Sequence, residues 1–272
     1  MIKGVDDLVF IRQKATKFQI PTAKSLGAPA LDTDVDDSDW TTELSTGSND
    51  ESLGFGKRKL EPHPFAKRIK ISKDLLNRLP GVETFVRSRL AYKFGITEEK
   101  GFLVGSGAGQ PLGLFTASND GVPTTRDVSA ENSTTAPTFN GLINAKYSLK
   151  GVYWNLADWL FHRDCLKILA KIKDSDGQYI WRESVRAGEP DRLLGRPINM
   201  SEYVPNTFTA GSYVGLLGDF SNYWIADAMD MEIQRLVELY AENNQVGLIG
   251  RQSCDGMPVL AEAFARVKLA AS

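Results

Sequence analysis

Between Lys67 and Ile71 charged and apolar residues alternate, the period of a strand with one wet face. Ser72 follows, a residue suited to cap a helix, and Lys73-Asp74-Leu75 can open a first turn. Pro80 breaks that turn or restarts the helix at a position proline tolerates. From Val82 the spacing changes. Val82, Phe85, Val86, Leu90 and Phe94 recur along one helical face, while Arg87, Arg89, Lys93, Glu98 and Glu99 take much of the remainder. This predicts a helix over Val82–Leu103, ~33 Å long at ~1.5 Å per residue. Gly95 and Gly101 are weak points that can kink or shorten it. The glycine-rich stretch Gly105–Gly113 stops it. Strand, helix and turn together read as a spine along which other elements pack.

Downstream, helical spacing predicts a short helix over Phe139–Leu149, with Asn140 as its cap, and an amphipathic helix over Asp158–Ile172. Asn119–Pro137 is polar and reads as an exposed loop or short strands, Tyr153-Trp154 as a buried strand fragment. Asp174–Gly177 is a turn into a strand at Gln178–Trp181, and Leu193–Ile198 leads to another strand or edge. Tyr213–Leu217, Met231–Leu239, Gln245–Arg251 and Val259–Leu269 read as strands. Phe220–Ala228 reads as a short helix or turn, and Cys254–Pro258 as a turn. The class is α+β.

Upstream, residues 1–39 read as an arm, with weak helical spacing at Leu8, Ile11, Ala15 and Phe18. The run Asp32, Asp34, Asp36, Asp37 and Asp39 cannot be core. It is either a solvated linker or a patch that pairs with basic residues of a neighbouring subunit. Residues 40–66, from Trp40 through a polar tip to Lys57-Arg58-Lys59, suggest a long hairpin leaving the body. An isolated two-stranded ribbon is marginal in water, so this one needs a surface to dock on. The three basic residues are too few for a nucleic-acid patch; a surface turn, or a partner for the acidic run, suits them better.

Composition narrows the function classes. The 272 residues are 42% hydrophobic and 24% charged, with a net charge of −2. That balance supplies no general attraction to nucleic acid or an anionic membrane. No apolar run approaches the ~20 residues of a membrane helix. The N-terminus lacks the succession of a secretion signal. Cys165 and Cys254 could in principle pair, but such residues in an intracellular protein are more often reduced and buried. The two histidines are His63, between prolines, and His162, three residues before Cys165. On one helix face His162 and Cys165 can form a base–nucleophile pair or half a metal site, but no second pair completes four ligands. Ordinary packing is the simpler reading. The glycine cluster lacks the lysine of a phosphate loop and follows a helix rather than a strand. No catalytic residue, cofactor or metal is expected.

The run Lys70–Leu114, KISKDLLNRLPGVETFVRSRLAYKFGITEEKGFLVGSGAGQPLGL, resembles the spine region of the major capsid proteins of tailed bacteriophages with the Hong Kong 97 fold. The similarity extends from about Trp40 to Leu269. It includes KDSDGQYIW, LLGRPINMSEYVP, GLLGDFSNYWIADAMDMEIQRL and PVLAEAFARVKL, in order. The resemblance implies a Hong Kong 97-like capsid fold: N-terminal arm 1–39, extended loop 40–66, peripheral domain 67–138 and 220–272, and axial domain 139–219. It implies a major capsid protein assembled in the host cytoplasm as pentamers and hexamers of an icosahedral shell around viral double-stranded DNA. Partners would be further copies, scaffold, portal and decoration proteins, and non-specific contact with the DNA, with no membrane. Candidate subunit contacts are Asp34, Asp36, Asp37, Trp40, Lys57, Arg58, Lys59, Arg87 and Arg89. With no coiled-coil-like stretch, the chain is expected to be a mature form or one assembled with a separate scaffold. Alternatives are an encapsulin-like nanocompartment shell and a soluble hydrolase using His162 and Cys165.

Overall fold

The computed structural model describes residues 10–21, 25–33, 54–79, 81–174, 176–181 and 191–271. The helices are α1 (Phe10–Lys14), α2 (Lys73–Arg78), α3 (Val82–Val104), α4 (Phe139–Ser148) and α5 (Arg163–Leu169). The strands up to the middle of the chain are β1 (Thr16–Gln19), β2 (Leu26–Thr33), β3 (Gly54–Leu60), β4 (His63–Ser72), β5 (Asp127–Val128) and β6 (Asp158–Phe161). The rest are β7 (Arg192–Leu193), β8 (Arg196–Met200), β9 (Tyr213–Gly218), β10 (Tyr223–Leu236), β11 (Gln245–Pro258) and β12 (Phe264–Lys268).

The spine forms as its pattern predicts. Helix α3 runs for 23 residues through Gly95 and Gly101, so neither glycine ends it. Its buried face, Leu90, Phe94, Phe102 and Leu103, holds it against the sheet beside it. The glycine turn beyond it is set by backbone proximity. A Cβ on Gly105 would lie 2.1 Å from the Pro111 carbonyl oxygen, and one on Gly113 2.5 Å from the Gly105 nitrogen.

Two sheets and a ribbon organise the strands. One sheet has the order β1-β10-β11-β4, the other β5-β12-β9-β6-β8-β7, and among the described residues β2 pairs with β3 alone. The six-stranded sheet is buried on both faces. Leu160, Leu216 and Phe264 join the core under α3, while Trp159, Phe161, Leu217 and Val267 join a second core under α4 and α5. The period-2 alternation of a strand divides them.

That double burial explains the main departures from the sequence reading. Trp159-Leu160-Phe161 is a central strand, so the expected helix over Asp158–Ile172 begins only at Arg163. A continuous apolar run suits a strand covered on both sides as well as a helix. Cys254–Pro258 looks like a turn, yet β11 continues to Pro258, because its residues pair with β10, Gly256 opposite Ile225 and Pro258 opposite Tyr223. The expected turn over Phe220–Ala228 shrinks to Phe220–Asn222, after which β10 begins. Tyr153 closes a 3-10 turn rather than a strand, and Gln178–Trp181 supplies only a single bridge, Lys173↔Tyr179. The polar stretch before α4 does contain a short strand, as one of its two readings expected: Asp127 in β5 holds the fully buried Arg266 at 2.6 Å.

Helix α4 is capped by Thr138, not Asn140. Its hydroxyl accepts the Gly141 N–H at 3.1 Å and donates to the Glu131 carbonyl at 2.6 Å. Thr138→Ala is expected to remove about 1 kcal/mol of stability. Urea unfolding checks this; an unchanged midpoint refutes the cap.

Candidate assembly surfaces

The described part of the arm folds onto its own chain. Ile11 is fully buried and Phe10 meets Phe220 edge-on, with ring centroids 4.9 Å apart. The Ile11 N–H donates to Glu99 Oε2 at 3.2 Å. Arg12 lies between two carboxylates: its Nε donates to Glu98 at 2.5 Å, and its Nη2 to Asp227 at 2.6 Å. Glu98 also accepts from Gln252. Strand β1 then adds in parallel to β10, Thr16 opposite Trp224. Phe10–Gln19, within the segment expected to be an arm, therefore packs on the body of its own chain. Phe10, Ile11 and Ala15 join the main core and Phe18 packs on Trp224, which supply its apolar contacts there.

Burial governs the titration of this junction. It pushes the Glu99 carboxyl up to about 7, against hydrogen bonds that favour the ionised form. Glu98 is also raised by burial, with Arg12 opposing.

The ribbon begins earlier in the chain than the pattern indicates. Gly54–Leu60 pairs antiparallel with Leu26–Thr33, so the first strand starts at Leu26, within the segment expected to be arm, and not near residue 40. The sequence Leu26–Thr33 contains Gly27 and Pro29 and lacks clear alternation, which hid it. Its base is tied down. Leu60 is buried with Leu112, Ala226 and Met257, and the Glu61 N–H donates to Asp255 at 2.7 Å. Arg58 Nη1 donates to the carbonyls of Pro258 at 2.8 Å and Val259 at 2.5 Å.

The expected contact residues divide accordingly. Asp34, Asp36, Asp37 and Trp40 lie outside the described residues. Lys57 sits in β3 opposite Pro29. Arg58 anchors the ribbon within its own chain, Lys59 pairs with Glu61, and Arg87 pairs with Glu83 at 2.8 Å. Arg89 lies over the Tyr92 ring, 4.7 Å from its centre. The structure does not bring these basic residues into one patch.

Other surfaces were missed because periodicity cannot tell a covered apolar face from an open one. Leu75, Leu79 and Phe85 are exposed around the start of α3. Tyr147 in the last turn of α4 and Val152 and Leu156 beyond it are exposed, Val152 at 84%. Between α3 and β4 lies a groove of about 890 Å³, with Phe65, Leu90 and Phe94 among its lining and Lys67, Arg89 and Lys93 along it.

No hydrolytic centre forms at His162 and Cys165. His162 caps α5: its Nδ1 accepts the Asp164 N–H at 3.1 Å, while Nε2 faces Glu202 at 3.3 Å. Cys165 is buried, which pushes its thiol up to about 12, the reverse of an activated nucleophile. Burial also raises the Cys254 thiol. Among the described residues no group of three His, Cys, Asp or Glu is placed to hold a metal, and no helix is long and apolar enough to cross a membrane.

The capsid of a native GTA particle, computed with C5 symmetry, superposes with a TM-score of 0.84 at 24% identity, covering 100% of this chain and 92% of that one. A chain of Gordonia phage Cozz gives 0.72 at 14% identity, covering 100% and 90%. The architecture is that of the Hong Kong 97-like capsid proteins. The chain belongs to the Phage capsid family, whose model matches residues 2–269. It is 25% identical over 169 residues to the major capsid protein of Enterobacteria phage HK97. That match covers 60% of this chain but only 41% of the relative's length.

Proposed function

We propose that this chain is a major capsid protein: copies of it assemble as pentamers and hexamers of a closed icosahedral shell around double-stranded DNA. The observation that carries the reading is the capsid-family match, which runs from residue 2 to residue 269. The ribbon supports it. Beyond its anchored base, β2 and β3 pair only with each other among the described residues, and such a ribbon gains stability by docking on another surface. The superposition on the capsid of a GTA particle is consistent with a shell subunit.

In this reading α3 and the four-stranded sheet form the peripheral domain. Residues 139–219 form the axial domain, which also takes in β5 and β12 because they belong to its sheet. The chain acts as a structural subunit of the virion rather than as a catalyst, assembled in the host cytoplasm. Scaffold, portal and decoration proteins are its further partners, and packaged DNA a non-specific one. Asp34, Asp36, Asp37, Trp40, Lys57, Lys59, Arg87 and Arg89 are its candidate contacts to neighbours. Neither the nanocompartment alternative nor the hydrolase gains an observation in its favour.

Electron microscopy of the purified chain is expected to show closed particles of uniform size, and nuclease treatment of virions to leave the enclosed DNA intact. A product that elutes only as a 30.0 kDa monomer and forms no particles with its scaffold would falsify the reading.

A further inference from the structure

Helix α1 and strand β1 form a strap that crosses from the spine helix to both sheets. Arg12 reaches Asp227 in β10, and Lys14 reaches Asp158 in β6 at 3.1 Å. The Thr16 hydroxyl donates to the Ser221 carbonyl at 2.7 Å. Little regular structure holds the strap in place. Helix α1 has five residues, and β1 adds four at the edge of the four-stranded sheet. A helix that short has no stability of its own in water, so the strap depends on its contacts. Edge segments with few backbone bonds are the ones that open locally while a core stays folded.

One of those contacts changes with protonation. Glu99 is 1% exposed; its Oε2 accepts the Ile11 N–H of the strap, and its Oε1 has no hydrogen-bond partner among the described residues. An ionised carboxylate is costly there, because water is excluded and one oxygen is unmatched. The cations nearby are already engaged. Arg12 is shared by Glu98, next along α3, and Asp227 of β10, while Lys14 is taken by Asp158. Beyond β8, Ser201 approaches Glu99, and Glu202 beside it faces His162 and Arg163. Tyr223 of β10 and Cys254 of β11 complete the surroundings, both kept neutral by burial. Burial raises the Glu99 carboxyl to about 7; the Ile11 and Phe10 N–H groups and the Ser201 hydroxyl favour the ionised form without offsetting it.

We propose that Phe10–Gln19 is a proton-controlled strap: protonated Glu99 keeps it docked across the two sheets, and ionised Glu99 releases it while the rest of the chain stays folded. The switch lies within one chain and needs no neighbouring copy. Release lets water reach Glu99, where its carboxyl returns to an ordinary value near 4.5. Docking therefore takes up a proton. It is tightest below about 4.5, weakens by about tenfold per pH unit up to about 7, and then levels off. Release uncovers Phe220 and Trp224 and removes the ion pairs that tie the strap to each sheet.

Hydrogen exchange of the full, dispersed chain between pH 5 and pH 8 tests this, with rates corrected for the intrinsic effect of pH on amide exchange. Opening of the amides in Phe10–Gln19 is expected to rise about thirtyfold from pH 5 to pH 7 and to level off above pH 7.5. Amides of α5 and β9 should keep their protection throughout. Glu99→Gln is expected to hold the strap's protection flat across this range, and Glu98→Gln to keep the rise. A strap whose protection does not change with pH, or changes equally in Glu99→Gln, overturns the switch. Equal loss of protection in α5 and β9 overturns local release, because the whole chain is then unfolding. Should Glu99→Gln fail to fold, the parent's profile at the strap, compared with α5 and β9, still decides.

Discussion

Arg12→Ala is expected to destabilise the folded chain by about 3 kcal/mol, the loss typical of breaking a buried ion pair from one side. Arg12 holds Glu98 and Asp227 together, and both carboxylates are largely buried. Without the guanidinium two like charges face each other with little water to screen them. The loss is expected to shrink as pH falls, because Glu98, already raised by burial, then takes up a proton more readily. Adding Glu98→Gln to the variant should recover part of the stability at neutral pH. Urea unfolding of the dispersed chain at pH 5 and pH 7.5 measures both effects. An Arg12→Ala chain as stable as the parent would show that the arm's apolar contacts suffice and that the ion triad contributes nothing.

The second large effect is a pH dependence centred on Glu99. Its carboxyl is raised from 4.5 to about 7 in the folded chain. Between those values the folded state binds the proton more than the unfolded state does. Stability from this group is therefore greatest below about 4.5 and declines as pH rises towards 7. At ~1.4 kcal/mol per pH unit the full decline is about 3 kcal/mol. Glu99→Gln keeps the shape and removes the proton equilibrium. The variant should match the parent near pH 5, exceed it above pH 7.5, and lose this component of the slope. Equal slopes in parent and variant would place the titration elsewhere.

Both effects arise where the arm meets the spine, a junction only partly legible in the sequence. The spacing of Ile11, Ala15 and Phe18 showed that this segment had an apolar face. It did not show what would cover that face, and an isolated amphipathic piece is as compatible with a neighbour as with its own chain. Glu98 and Glu99 illustrate the same limit. On the helical pattern they belong among the polar positions, yet both are buried, because α1 and β11 close over that side of α3.

The sequence by itself determined the spine helix with its glycine stop, the mixed class and the resemblance to capsid proteins. Each of these rests on local spacing, or on motifs short enough to be read along the chain. Only the tertiary structure decided that β6 is a strand, that the ribbon opens at Leu26, and that β12 joins β9 in the six-stranded sheet. It alone joined Arg12 to Glu98 and Asp227, groups separated by much of the chain. The physical reason is that periodicity records which face of an element is apolar. Register, double burial and the pairing of buried charge depend on which distant element covers that face.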